Sequence, residues 1–202
     1  VCPPGLKNFS FTDVLRETSF PESPVFGVFT SGTVSGAPRL VLYSKRNVEA
    51  SIAAILSLFE PGQIDSIFCY PQPLHTFGLT LGYVMAYLRG FELTTIAGPY
   101  SRATHEARAS WNRELGLTLG TPTHFYDLIQ YVRKGARTLG PSYAAIIGVA
   151  QVSVKLWREI RDELRIRAPS IGYGATEASP GVTHLPPGVE PQEDGEIGVP
   201  LP

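Results

Sequence analysis

The sequence predicts an α/β fold: a mostly parallel sheet with helices on both faces. Two observations carry this. Short apolar runs rich in Val, Ile, Leu and Phe alternate along the chain with longer amphipathic runs, the βαβ signature of parallel strands. The strand runs are four to six residues long and the helical runs twelve to fifteen, the lengths such an alternation needs. Composition agrees: 202 residues, 43% hydrophobic and 17% charged, are enough for one domain with a substantial core.

The elements follow in order. Residues 1–24, rich in Pro, Ser and Thr, read as a peripheral lead, with a short helix near Phe9–Leu15. Residues 25–202 read as a single α/β domain. Val25–Phe29 and Leu40–Tyr43 have strand composition and flank the loop Thr30–Arg39, a long hairpin. Ser44 or Asn47 caps a helix to about Phe59, with Val48, Ile52, Ile55, Leu56 and Phe59 on one face and Pro61-Gly62 as its stop. Asp65–Tyr70 is a strand broken by Pro71 and Pro73. His75–Gly78 opens an apolar helix to about Leu88, buried because it is apolar on most faces. Phe91–Ile96 is a strand, Ser101–Leu115 a polar amphipathic helix stopped by Gly116, and Leu117–Leu119 a strand. Pro122 starts a helix to about Lys134. Tyr143–Ile147 is a strand, Ser153–Arg167 a helix, and Ser170–Tyr173 and Val182–Leu185 short strands.

The net charge of −1 provides no basic field and argues against nucleic acid as a partner. The longest apolar run, Ile52–Phe59, is too short to span a bilayer, and the first residues lack a signal-peptide pattern. With only Cys2 and Cys69, nothing favours a disulfide. Free thiols suit a reducing compartment, so the expected location is cytoplasmic.

Two stretches carry chemistry. The loop has four hydroxyls (Thr30, Ser31, Thr33, Ser35), two glycines (Gly32, Gly36) and a cation, Arg39. Such a loop can turn backbone N–H groups, hydroxyls and a guanidinium onto phosphate oxygens. A Ser/Gly-rich surface turn is the other reading. Gly172-Tyr-Gly-Ala-Thr-Glu177 leaves a strand at the edge where ligands bind in such folds. Thr176 can donate to phosphate, Glu177 can hold a divalent cation, Tyr173 offers a flat face and Gly174 permits close approach. The alternative is a strand exit with a capping Thr. His75, His105, His124 and His184 lack metal-ligand spacing. Arg102, Arg108, Arg113, Arg133, Lys134 and Arg137 read as a solvated face.

Together the two stretches resemble the adenylate-forming (AMP-binding) superfamily of acyl- and aryl-CoA synthetases, luciferases and peptide-synthetase adenylation domains. Thr30-Ser-Gly-Thr33 and Gly36-Ala-Pro38 match its phosphate loop, and Tyr173-Gly-Ala-Thr-Glu177 its Tyr-Gly-x-Thr-Glu. Between and after them, His75-Thr-Phe-Gly78, Gly120-Thr-Pro-Thr123, Gly148-Val-Ala-Gln-Val-Ser153 and Gly195–Pro202 resemble further landmarks in family order.

The resemblance implies an acid–thiol ligase chemistry. ATP and an acyl or aryl carboxylic acid give an acyl-adenylate and pyrophosphate, and the acyl group then passes to coenzyme A or a carrier-protein thiol. It implies that Thr30, Ser31, Gly32, Thr33, Ser35, Gly36 and Arg39 hold phosphates and that Thr176 and Glu177 act in catalysis, with Glu177 on Mg²⁺. Tyr173 and Gly174 would face the adenine, with Gly148, Val149 and Ala150 on its other side, and His75 and Phe77 would gate the acid pocket. Departures are the extra residue at Val34-Ser35, Arg39 for Lys, Lys45 for His and Gln151 for Pro. The expectation is a truncated member, one subdomain of the family's large domain, without the catalytic-Lys domain and incomplete for catalysis alone. Its uncovered sheet would need a homodimer or a partner chain. A non-catalytic nucleotide- or acyl-adenylate-binding or interaction protein is the second reading.

Overall fold

A computed structural model describes residues 23–30, 39–95, 100–109, 114–135 and 139–202. The lead up to residue 22 and the loop interior, with Ser31, Gly32, Thr33, Ser35 and Gly36, lie outside the described residues, as do Cys2, Arg113 and Arg137.

The hairpin forms as expected. Strand β1 (Pro24–Phe29) pairs antiparallel with β2 (Leu40–Ser44), Phe29 opposite Leu40. Helix α1 (Lys45–Leu56) follows at once. Ser44 Oγ accepts from Asn47 N–H at 3.2 Å and Asn47 Oδ1 accepts from Ser44 N–H at 3.3 Å. The two expected caps thus act together as a reciprocal box.

A seven-stranded sheet forms the centre. Its strands are β3 (Ser66–Cys69), β4 (Glu92–Thr94), β5 (Leu115–Gly120), β6 (Ser142–Gly148), β7 (Ile166–Gly174), β8 (Gly181–His184) and β9 (Val199–Pro200), in the order β4-β3-β5-β6-β7-β8-β9. The first five in that order are parallel, β8 pairs antiparallel with β7, and β9 pairs antiparallel with β8. Successive side chains go to opposite faces. Ile67, Cys69, Leu117, Leu119 and Ile146 share a core with Ile52 and Ile55 of α1 and with Phe77 and Leu81. Phe68, Ala145 and Ile147 share another with Phe125 and Ile129 of the helix Pro122–Arg133 and Trp157 and Ile160 of the helix Val154–Glu163. Helices on both faces of a mostly parallel sheet are the fold the sequence predicts.

Three elements differ from expectation. The helix expected to reach Leu115 is described over Arg102–Ala109, and Leu115 already pairs with Ser142. Gly116 sits inside β5 rather than stopping a helix, since a Cβ there would stand 2.9 Å from the Ser66 carbonyl oxygen. The helix expected to reach Arg167 ends at Glu163, Arg165 takes φ 57°, and Ile166 pairs with Ser142, so β7 has nine residues. The segment after His75 is π-helical over Phe77–Val84 and α-helical over Met85–Arg89. Its start is buried, but Tyr87 is 86% exposed. No helix among the described residues is long and apolar enough to cross a membrane.

Candidate functional site

The carboxyl ends of β3, β6 and β7 open onto one edge of the sheet, and those sequence-selected residues that the structure describes gather there. A cavity of about 180 Å³ is lined by His75, Phe77, Gly148, Val149, Tyr173, Gly174 and Thr176, among others. A second, of about 450 Å³, shares Val149, Tyr173 and Gly174 and adds Ala150, Gln151, Asp194 and Glu196. Val149, Gly172, Tyr173 and Gly174 therefore line both chambers, and the second adds the carboxylates of Asp194 and Glu196.

The hairpin brings the first motif to the second. Thr30 N–H donates to the Arg39 carbonyl at 2.9 Å, and Arg39 N–H donates to Thr30 Oγ1 at 3.1 Å. This clasp closes the base of the loop. Arg39 Nη2 then stands 4.0 Å from Glu177 Oε1, with both side chains largely in solvent. Thr30, Arg39 and Glu177 lie outside the linings of the two cavities.

Tyr173-Gly-Ala-Thr-Glu177 is shaped by its own backbone. A Cβ on Gly174 would lie 1.7 Å from the Pro180 carbonyl oxygen. That oxygen accepts from Ala175 N–H at 3.0 Å, folding the chain back over Thr176–Ala178, a 3₁₀ turn. The close approach that glycine permits here is therefore by the chain itself. Val149 holds φ 78° and is 60% exposed. A β-branched residue in this region stores strain of roughly 1–3 kcal/mol. Gln151 packs against Gly195, whose φ is 85° and whose absent Cβ would meet Gln151 Nε2 at 2.7 Å.

His75 stands at the mouth of the first cavity. Its Nδ1 accepts the Phe77 N–H at 3.2 Å, which fixes the proton of the neutral ring on Nε2. Partial desolvation holds its pKa below the usual value.

The sequence reading missed two residues at this edge. His184, 2% exposed, lines the first cavity. Ser170 Oγ donates to the Leu185 carbonyl at 2.6 Å, so it accepts from His184 Nδ1–H at 3.2 Å. Burial brings this imidazole down to about 4. Tyr43, 1% exposed, reaches both Thr76 and Thr176 with its hydroxyl. Burial pushes its phenol up, and the charge of Glu177 adds to the shift. A lone buried Tyr or His carries no sequence signal, because its partners come from distant strands.

The other histidines are structural. Tyr100 O–H donates to Asp127 Oδ2 at 3.0 Å, which leaves its oxygen to accept from His105 Nε2–H at 2.8 Å. His124 stacks on Tyr70, with ring centroids 5.1 Å apart. Arg108 corrects the expectation of a solvated face: it is 1% exposed. Arg133 pairs with Glu159 and Glu163 at the surface.

Could this edge hold Mg²⁺ with a nucleotide? Among the described residues no group of three His, Cys, Asp or Glu side chains forms a metal cage. Glu177 offers a single solvent-facing carboxylate beside a cationic loop base. That suits a cation carried in by phosphates and completed by water, the usual habit of Mg²⁺.

A family model described as AMP-binding enzyme matches residues 7–202. The chain is 27% identical over 179 residues to the acyl-CoA ligase cnsG of Penicillium expansum, covering 87% of this chain and 36% of that protein. It is 28% identical over 183 residues to the mitochondrial medium-chain acyl-CoA ligase ACSF2 of Homo sapiens, covering 87% and 29%. The chain thus spans about a third of the length of the curated relatives it matches. Among solved structures, a benzoate CoA ligase from Burkholderia xenovorans LB400 superposes with a TM-score of 0.73 at 15% identity, over 91% of this chain and 36% of that one. A malonyl-CoA ligase complex with methylmalonyl-CoA and AMP superposes with a TM-score of 0.69 at 23% identity, over 89% and 38%. At these identities the likeness is one of fold.

Proposed function

The chain belongs to the AMP-binding enzyme family, and from that premise we propose that it binds ATP or AMP together with a carboxylic acid and supports formation of an acyl-adenylate. The observation that carries this reading is the approach of Arg39 to Glu177 at 4.0 Å beside the paired cavities. Two motifs far apart in sequence meet where a triphosphate would lie between a cationic loop and a carboxylate.

The roles follow from position. The loop from Thr30 to Arg39 binds the outer phosphates, Thr176 contacts the α-phosphate, and Glu177 holds the accompanying Mg²⁺. The second chamber, beside Tyr173, Gly174 and Ala150, takes the adenine. The chamber behind His75 and Phe77 takes the acid. Attack of a carboxylate on the α-phosphate needs alignment and charge neutralisation, which such a site supplies by positioning. Mg²⁺ contributes charge neutralisation across the phosphate oxygens. The acyl acceptor in this reading is coenzyme A or a carrier-protein thiol.

A second copy or a partner chain remains part of the proposal, supported by Leu74 at 90% exposure and Tyr87 at 86%. Sedimentation of the chain at micromolar concentration gives a species heavier than the monomer if it holds.

The main test is thermal denaturation with ATP·Mg²⁺, GTP·Mg²⁺, AMP and an acyl-sulfamoyl adenosine. A ligand of the native state raises the melting temperature by mass action. The adenine ligands should raise it, and the acyl-sulfamoyl adenosine most, because it fills both chambers. No rise with any of them ends the reading.

A further inference from the structure

We propose that the buried hydroxyl of Tyr43 is a positioning group that holds the Thr176 turn in register with the acid gate. The inference rests on the nucleotide reading above and names a residue to which no role has yet been given.

The hydrogen bonds settle the direction of the chain. A phenol has one proton, and a carbonyl oxygen can only accept. The Tyr43 hydroxyl bonds the Thr176 carbonyl, so its proton is spent there. The contact between Tyr43 Oη and Thr76 Oγ1 at 3.0 Å must then run the other way, with Thr76 donating. The result is a directed relay: Thr76 O–H to Tyr43 O–H to the Thr176 carbonyl. Such chains polarise each bond in turn; Tyr43 and Thr76 are buried, and the bond to the Thr176 carbonyl is part-buried.

The three residues come from three parts of the site. Tyr43 lies in β2, four residues beyond Arg39. Thr76 lies between His75 and Phe77 at the mouth of the first cavity. Thr176 opens the 3₁₀ turn that carries Glu177. One hydroxyl therefore indexes the strand leaving the phosphate loop, the acid gate and the phosphate-contacting turn against one another. The ring is held as well, packed at a 34° tilt against Phe26 with centroids 4.9 Å apart. A phenylalanine would keep that packing and lose only the relay.

Tyr43 does not line either cavity. Its effect must pass through Thr176, and so it should be felt by a ligand with an α-phosphate and not by one without. The test is calorimetric binding of AMP and of adenosine to the chain and to Tyr43→Phe, with amide hydrogen exchange on the free proteins. The expected result is AMP binding weakened about tenfold with adenosine binding unchanged. Exchange at the Ala178 and Ser179 amides should quicken, while the Ile146 and Ile147 amides stay protected. Equal losses for the two ligands, no loss for either, or unchanged exchange at Ala178 and Ser179 would overturn the proposal. A chain with 4-aminophenylalanine at position 43 keeps a donor toward Thr176. It should bind AMP as the unaltered chain does, and failure to do so also overturns it, even if the phenylalanine variant does not fold. An unaltered chain that binds neither ligand overturns the nucleotide reading itself, and the positioning role falls with it.

Discussion

Arg39 and Glu177 approach to 4.0 Å although most of the chain separates them in sequence. Both are largely exposed, and an exposed pair contributes little to folding. Their meeting therefore matters for what could bind between them. Glu177→Gln should leave the melting temperature of the free chain unchanged and weaken binding of ATP·Mg²⁺ about tenfold or more, with adenosine unaffected. Calorimetry with and without Mg²⁺ checks this. Equal affinity of the two forms for ATP·Mg²⁺ would remove Glu177 from the site.

Val149 holds φ 78° on the wall that both chambers share. Glycine adopts that conformation freely but costs more entropy on folding. The relief should exceed the cost, so Val149→Gly should raise unfolding stability in urea by about 1 kcal/mol. It should also open the shared wall and admit bulkier acyl-sulfamoyl adenosines. A less stable variant with unchanged ligand preference would mean that the conformation costs nothing and the side chain restricts nothing.

Gly174→Ala is expected to be among the most damaging single substitutions at this edge. Its Cβ would fall 1.7 Å from the Pro180 carbonyl oxygen, so the backbone hydrogen bond to Ala175 N–H must open. A loss of about 3 kcal/mol in urea unfolding is expected, together with loss of AMP binding.

Acid should destabilise the chain over a defined range. The His184 imidazole has a pKa of about 4 when folded against 6.5 when free. Between those values the unfolded chain binds the extra proton, so stability is full above about 6.5 and is lost as the pH falls towards 4. The loss is on the order of 3 kcal/mol for this group. His124, also held near 4, acts in the same direction. Urea unfolding at pH 7 and pH 5 measures the fall, and the histidine Cε1–H resonances should titrate well below the free value. Stability flat across that interval would mean that the two rings reach water.

The mostly parallel sheet was readable because short strand-forming runs alternate with longer helical ones, such as the one with Val48, Ile52 and Ile55 on its apolar face. The edge carrying the candidate site was readable because Tyr173–Glu177 is a local motif at a strand exit. What escaped were boundaries and long-range partners. Leu115 and Ile166 continue a helical pattern in sequence, and only pairing with Ser142 makes them strand. Arg108 looks like a surface cation in a polar helix until that helix packs inward. Tyr43 and His184 work through partners on other elements, and no local pattern encodes such a contact.

The clasp between Thr30 and Arg39 separates two kinds of change in evolution. Two hydrogen bonds seal the hairpin at its last paired residues, so the register of β1 and β2 is set outside residues 31–38. The entropy of closing a loop grows only slowly with its length. An added residue such as the one at Val34-Ser35 therefore leaves the strands, Tyr43 and the capped start of α1 where they were. Under the proposed phosphate role the segment becomes an exchangeable cassette, in which ligand preference can drift without refolding the scaffold that presents it.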